Sequence, residues 1–279
     1  MCIAIRSRLY MKTIKVSTGQ EVSYNSWLAT RNAETRPILI SFHGWGGSVE
    51  YRPDGDQFKN WNIFAPWDRS GVARNGCWWL GQNRQFFMVE AIDELVRAIR
   101  EEFSLKGDIY AWGSSMGGFG ALFHSFRCKF KAVAVNVPQV RLIGSDYMTI
   151  CARDSLNAIW DPEAAELTME EAARRAQSGE DPDLAFSDAT SFLDLEDATN
   201  NPVVFISQSR KDTTPYYFTE QTLYLVHRLV AAGCNFELYV EPRQGHYFVR
   251  DCHNVLALFE KFHDVIENPI DCGRPQIRS

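Results

Sequence analysis

Strand-like and helix-like segments alternate along most of this 279-residue chain, which predicts an α/β fold: a mostly parallel central sheet flanked by helices. Two further observations support that class. Short apolar runs rich in Val, Ile, Phe and Trp end in Gly-, Asp- or His-bearing loops, and one segment between them carries apolar residues at helical spacing. Hydrophobic residues make up 45% and charged residues 23% of the chain, as in a globular protein able to bury a large core.

Met11 to Val16 and Glu21 to Leu28 read as a leading antiparallel pair. Pro37 to Phe42, Trp61 to Ala65 and Asp108 to Trp112 follow as strands. Between the last two, Val89, Ile92, Leu95, Val96 and Ile99 mark Phe86 to Phe103 as a crossover helix. Lys131 to Val137, Pro202 to Ser207 and Phe236 to Val240 complete the strands, with helices over Tyr217 to Ala232 and Asn254 to Ile266. The stretch 138–201 breaks the rhythm, being rich in Asp, Glu and Ala with one helix expected around Pro162 to Ala176. So long a loop without structure is uncommon in a compact domain. The expected organisation is therefore a core domain from 1–137 and 202–279, with a small helical cap inserted at 138–201.

The formal charge of −6 lacks the basic footprint of a nucleic-acid binder. Seven dispersed cysteines without C-x-x-C or zinc spacing read as reduced thiols. Residues 1–10 hold no signal-peptide core, and no run approaches a membrane span, so a cytoplasmic location is expected. Met11 is an alternative start. Nothing in the sequence speaks to oligomeric state.

Gly113-Ser114-Ser115-Met116-Gly117 lies between a strand-like run and a small-residue helix start, the setting of a nucleophile elbow. Ser115 is the candidate nucleophile. A serine hydroxyl needs a base, and the base needs an orienting acid. Asp212 follows one late strand and His246 the last, in the order Ser, Asp, His. Loops from the carboxyl edge of a parallel sheet can bring the three together. For the oxyanion, the expected donors are the backbone N–H of Met116 and those of Gly44 and Trp45 in His43-Gly44-Trp45-Gly46-Gly47. Trp45, Trp78 and Trp79 are candidate substrate-binding aromatics, whereas Trp112 on a central strand reads as core.

With these motifs in this order, the chain resembles the α/β-hydrolases. The resemblance implies a serine hydrolase cleaving a carboxylic ester through an acyl-enzyme. The alternative acid position of that family, one strand earlier, holds Asn136-Val137-Pro138 here, which favours Asp212. The stretch from Asn62 through Trp79, with Pro66-Trp67-Asp68-Arg69 and Cys77-Trp78-Trp79-Leu80-Gly81, is similar to esterase-like hydrolases associated with bacterial surface-glycan biosynthesis. That similarity implies a small or sugar-linked acyl ester as substrate. Acyl transfer to a glycan and a non-catalytic binding or assembly role are the competing readings. The motifs call for no metal and no cofactor.

Several residues also have plainer readings. Asp212 could cap a helix beside Thr213 and Thr214. His124, His227, His253 and His263 fit packing or solvated helix faces. Cys77 lacks a setting that would activate a thiol. Asp68 and Arg69 could bind substrate, but a surface or intramolecular ion pair is the default reading.

Overall fold

The computed structural model describes residues 11–47, 59–211, 217–246 and 252–267. The eight expected strands are present: β1 (Lys12–Lys15), β2 (Glu21–Trp27), β3 (Ile38–Phe42), β4 (Asn62–Trp67), β5 (Ile109–Ser114), β6 (Ala132–Asn136), β7 (Val203–Lys211) and β8 (Phe236–Gln244). They form one sheet in the order β1-β2-β4-β3-β5-β6-β7-β8. β1 pairs antiparallel with β2, and β2 with β4, while every pair from β4 across to β8 is parallel. The loops leaving β3, β4, β5, β6, β7 and β8 therefore emerge at one edge.

Helices cover both faces because the strands are apolar on both. Ile38, Ile40 and Phe42 of β3 point into the larger core with Ala111 of β5 and Ile206 of β7. Leu39, Tyr110 and Phe205 point to the other. The larger core is closed by α1 (Phe87–Phe103), α2 (Met116–Cys128) and α6 (Tyr224–Ala231). The smaller is closed by the last helix, Cys252–Glu267, through Val255, Leu256 and Phe259, and Trp61 donates a hydrogen bond to its Glu260 at 3.0 Å. α2 is buried from Met116 to Phe126, which explains its scarcity of charge.

Between β6 and β7 the chain is helical, and here the detail differs from expectation. α3 (Asp146–Ile159) was not legible, because Ala152 at φ −139° kinks it and breaks the spacing of its buried residues. The single helix expected around Pro162 to Ala176 is two: α4 (Pro162–Ala165) and α5 (Met169–Ser178), the second started by Thr168, which accepts from Glu171 N–H at 3.2 Å. The region is tied to the rest of the chain by Arg84, which bridges Asp161 at 2.7 Å and Asp181 at 3.0 Å.

The first half of the helix expected over Tyr217 to Ala232 is instead a π-helix, Phe218–Leu223. Its fully buried Gln221 clamps the strap that runs from β6 to α3. The side-chain oxygen accepts from Val140 N–H at 2.6 Å and Arg141 N–H at 2.8 Å; the amide donates to Arg141 O at 3.1 Å and Ser145 Oγ at 2.9 Å.

His124 is packed on α2 as the sequence suggested, stacked on Phe42 with Nε2 donating to Trp79 O at 3.1 Å. Burial drives its pKa down to about 3. The unfolded chain takes up this proton near pH 6.5, so the contribution is intact above that pH and fades as pH falls from 6.5 towards 3, by up to about 1.4 kcal/mol per unit. His124→Gln is expected to flatten the fall of the urea midpoint between pH 6.5 and 4; an unchanged slope would contradict this account.

Candidate active site

Ser115 stands between β5 and α2 with φ 54° and ψ −120°, a conformation that a residue with a side chain adopts only when its surroundings impose it. The surroundings are specific. Ser115 N–H donates to Asn136 O at 3.0 Å, and its carbonyl accepts from Phe119 N–H and Gln139 N–H, both at 3.2 Å. A Cβ on Gly113 would collide with the Gly117 carbonyl, and one on Gly117 with the carbonyls of Phe42 and His43. Glycine at both positions is what allows the turn to close.

The loop after β3 is held from beneath. Asp68 N–H donates to His43 Nε2 at 3.0 Å, which makes Nε2 the acceptor and leaves Nδ1–H to donate to Gly44 O at 2.8 Å. Burial lowers the His43 pKa and favours this neutral tautomer. The same Gly44 carbonyl accepts from Gly47 N–H at 2.9 Å, closing a tight turn, and Gly46 N–H donates to Asn75 O at 2.9 Å.

Asp68, fully buried, corrects the ion-pair expectation. Its Oδ1 accepts from Ser70 N–H at 3.0 Å, and Oδ2 from Cys77 N–H at 2.7 Å and Trp79 N–H at 3.0 Å; it makes no salt bridge among the described residues. Arg69 stacks over Trp67 at 4.4 Å instead. Cys77 is buried beside Asp68, and that burial pushes its thiol pKa up, away from a nucleophile's range.

Ser115, His246, Gly44 and Trp45 line one cavity of about 340 Å³. Trp45 is 58% exposed at its wall. Trp78 also lines it, and its Nε1–H donates to Gln139 Oε1 at 2.5 Å. Trp79 does not line it, which corrects its assignment as a substrate aromatic. Its N–H is spent on Asp68, its indole lies against Gly120 and Phe42, and Nε1–H donates to His43 O at 3.3 Å. Met116 is not among the lining residues: its side chain is buried in the core, while its N–H, next to Ser115, is among those a helix start leaves without an intrahelical acceptor. Asp212 lies outside the described residues.

His246 is reached through Gly245, whose carbonyl accepts from Ser209 Oγ at 2.7 Å. Its ring packs at 5.2 Å against Tyr217, which in turn meets Tyr147 edge-on at 4.5 Å and donates its hydroxyl to Val137 O. Val137, Gln139, Tyr147, Cys151 and Ala152 also line the wall, with Ser114, and were not singled out as site residues in the sequence. Val137 sits at φ 38°, rare for a β-branched residue, held by its N–H to Ser207 O at 2.7 Å. The available signal was Val137-Pro138-Gln139 immediately after a strand, at the edge where ligands collect.

A sheet of this order, with a serine on a strained strand-to-helix turn at its carboxyl edge, defines a serine hydrolase of the α/β-hydrolase fold. The profile of the prolyl oligopeptidase family matches residues 88–268, from α1 through the last helix, and the chain belongs to that family. Comparison with curated proteins finds no match. Among solved structures, the chain is similar to an S-formylglutathione hydrolase from Agrobacterium tumefaciens, at 16% identity over 91% of each chain and a TM-score of 0.59. It is likewise similar to the capsule O-acetyltransferase of Neisseria meningitidis serogroup A, at 16% identity over 92% of this chain and 95% of that one, TM-score 0.59. Dipeptidyl peptidase 4 of Porphyromonas gingivalis matches at 17% identity and a TM-score of 0.58, over 93% of this chain but 35% of that longer one. At such identities the likeness is one of fold.

Asp68→Asn replaces an acceptor of three N–H groups with an amide that must turn a donor towards them. Loss of about 2–4 kcal/mol is expected from one such buried mismatch, read as a lowered denaturation midpoint, with activity falling further because the His43 and Trp78 supports move together. A variant as stable and active as the parent would show that the carboxylate does not organise this loop.

Proposed function

We propose that the protein is a carboxylic ester hydrolase acting through an acyl-enzyme on Ser115. The observation that carries this reading is that the strained Ser115, His246 and the Gly44-Trp45 turn share one cavity. In the proposed reaction His246 takes the Ser115 proton as Oγ bonds to the ester carbonyl carbon. The N–H groups of Met116 and of Gly44 or Trp45 hold the resulting oxyanion. The C–O bond to the alcohol then breaks, and His246 returns the proton to the departing oxygen. Water attacks the acyl-enzyme with His246 again as base, releasing the acid and restoring the Ser115 hydroxyl. Asp212 is assigned to orient the imidazole.

Ester cleavage is our reading on the strength of a small cavity whose described wall is largely apolar. The wall of Trp78, Val137, Tyr147 and Ala152 suits a small acyl group, and the exposed Trp45 offers an aromatic face to a sugar. That face, with the fold shared with a capsule O-acetyltransferase, supports acyl transfer to a glycan as the second reading. We read 138–201 as a cap on the site, since its Tyr147, Cys151 and Ala152 line the cavity. The free cysteines at 77, 128, 151 and 234 accord with a reducing cytoplasm. Gln139 is assigned to substrate binding. Its Oε1 is committed to Trp78, so Nε2 is left as donor, and nothing among the described residues accepts from it.

A fluorophosphonate probe is expected to label the wild type and not Ser115→Ala, with ester turnover falling by roughly 10⁴–10⁶ in that variant. p-Nitrophenyl acetate should be cleaved far faster than a dipeptidyl p-nitroanilide; the reverse order would make the protein a peptidase. Gln139→Glu keeps the acceptor for Trp78 but loses the donor, so kcat/KM should fall about tenfold or more, as expected for a lost charge-sensitive hydrogen bond. Unaltered kinetics would remove Gln139 from the site.

A further inference from the structure

A second cavity, of about 570 Å³, lies between α5, the strap after β6, and α6, and shares no described lining residue with the first. Two arginines stand in its wall, Arg141 and Arg228. Neither forms a salt bridge among the described residues. The contrast with their surroundings is sharp: Arg84 is paired with Asp161 and Asp181, Arg153 with Glu166, Arg174 with Glu171, and Arg175 with Glu171 and Glu180.

Two carboxylates, Glu170 and Asp188, share the wall without a salt bridge to either arginine, and Asp188 is already occupied. Asp188 Oδ1 accepts from Thr190 N–H at 2.7 Å and Thr190 Oγ1 at 2.8 Å, and Oδ2 accepts from the Tyr224 hydroxyl. Arg141 lies 4.6 Å over the Tyr224 ring with Nε buried and unpartnered, one terminal nitrogen meeting only the Met169 sulfur. Arg228 spends Nε on Thr190 Oγ1 at 3.1 Å. Both arginines are half-buried, the buried Arg141 Nε lacks an acceptor, and the planar fork of a guanidinium matches the oxygens of a carboxylate or phosphate. Beside the arginines the wall carries the Glu170 carboxylate and the His227 imidazole, and an apolar part formed by Ile143, Met169, Ala172 and Leu184.

We propose that this cavity binds a small organic anion, with its carboxylate or phosphate oxygens on Arg141 and Arg228 and its apolar part against Ile143, Met169 and Leu184. The site stands apart from the catalytic assignment. It is nonetheless mechanically joined to the first cavity, because the strap that presents Arg141 also carries Gln139 and leads into α3, whose Tyr147 lines that cavity.

Phenyl phosphate titrated calorimetrically into the full chain is expected to reveal one saturable site that survives Ser115→Ala. The dissociation constant should rise at least tenfold in Arg141→Met and in Arg228→Met. Ala173→Trp, which obstructs the cavity from the exposed side of α5 without altering charge, should weaken binding as strongly. Inorganic phosphate should compete, more weakly for want of an apolar part. Absence of saturable binding, binding that all three substitutions leave unchanged in folded protein, or binding abolished by fluorophosphonate labelling of Ser115 would each overturn the proposal.

Discussion

The Asp68 carboxylate, sealed from water and satisfied by three backbone N–H groups, is the constraint on which the site's architecture depends. Buried charge is tolerated only where hydrogen bonds replace hydration, and here they come from main chain. Gathering those donors folds residues 68–79 into a compact knot in which Trp78 and Trp79 both take positive φ. The knot then works outward in two directions. Asp68's own N–H fixes the His43 tautomer under the Gly44 turn, and Trp78 reaches across the cavity to Gln139.

The supports form a hierarchy. The parallel sheet brings six loop ends to one edge, the knot after β4 among them; the knot and Tyr217 then orient what the other loops carry. Tyr217 touches His246 on one side and Tyr147 on another while its hydroxyl holds the Val137 carbonyl. Strain at Ser115 and Val137, of order 1–3 kcal/mol each for such conformations, is sustained because strand and helix hydrogen bonds on both sides leave the chain no alternative.

The sheet and the elbow were legible because their signals are local: short apolar runs announce the strands, and glycines two positions either side of a serine announce a turn only glycine permits. Asp68 was not legible as a support, since Asp beside Arg reads as a surface pair until the chain is seen to curl over it. Trp79 was misjudged for a related reason: adjacent tryptophans look alike in sequence, yet positive φ at both turns one indole to the cavity and the other into the core. α3 escaped because a kink at Ala152 destroys the periodicity by which a helix is recognised.

Gln221 merits a last consideration. Its amide supplies two acceptor contacts and two donor contacts to the strap, so one side chain does what a neighbouring strand does elsewhere in the sheet. Residues as far as Ser145 are thereby anchored to the π-helix, while Leu142 N–H donates to Ser187 O and Val140 O accepts from Ala189 N–H on their other side. α3 thus begins within a residue of that anchor, and Tyr147, in its first turn, is delivered to the cavity wall from a fixed point.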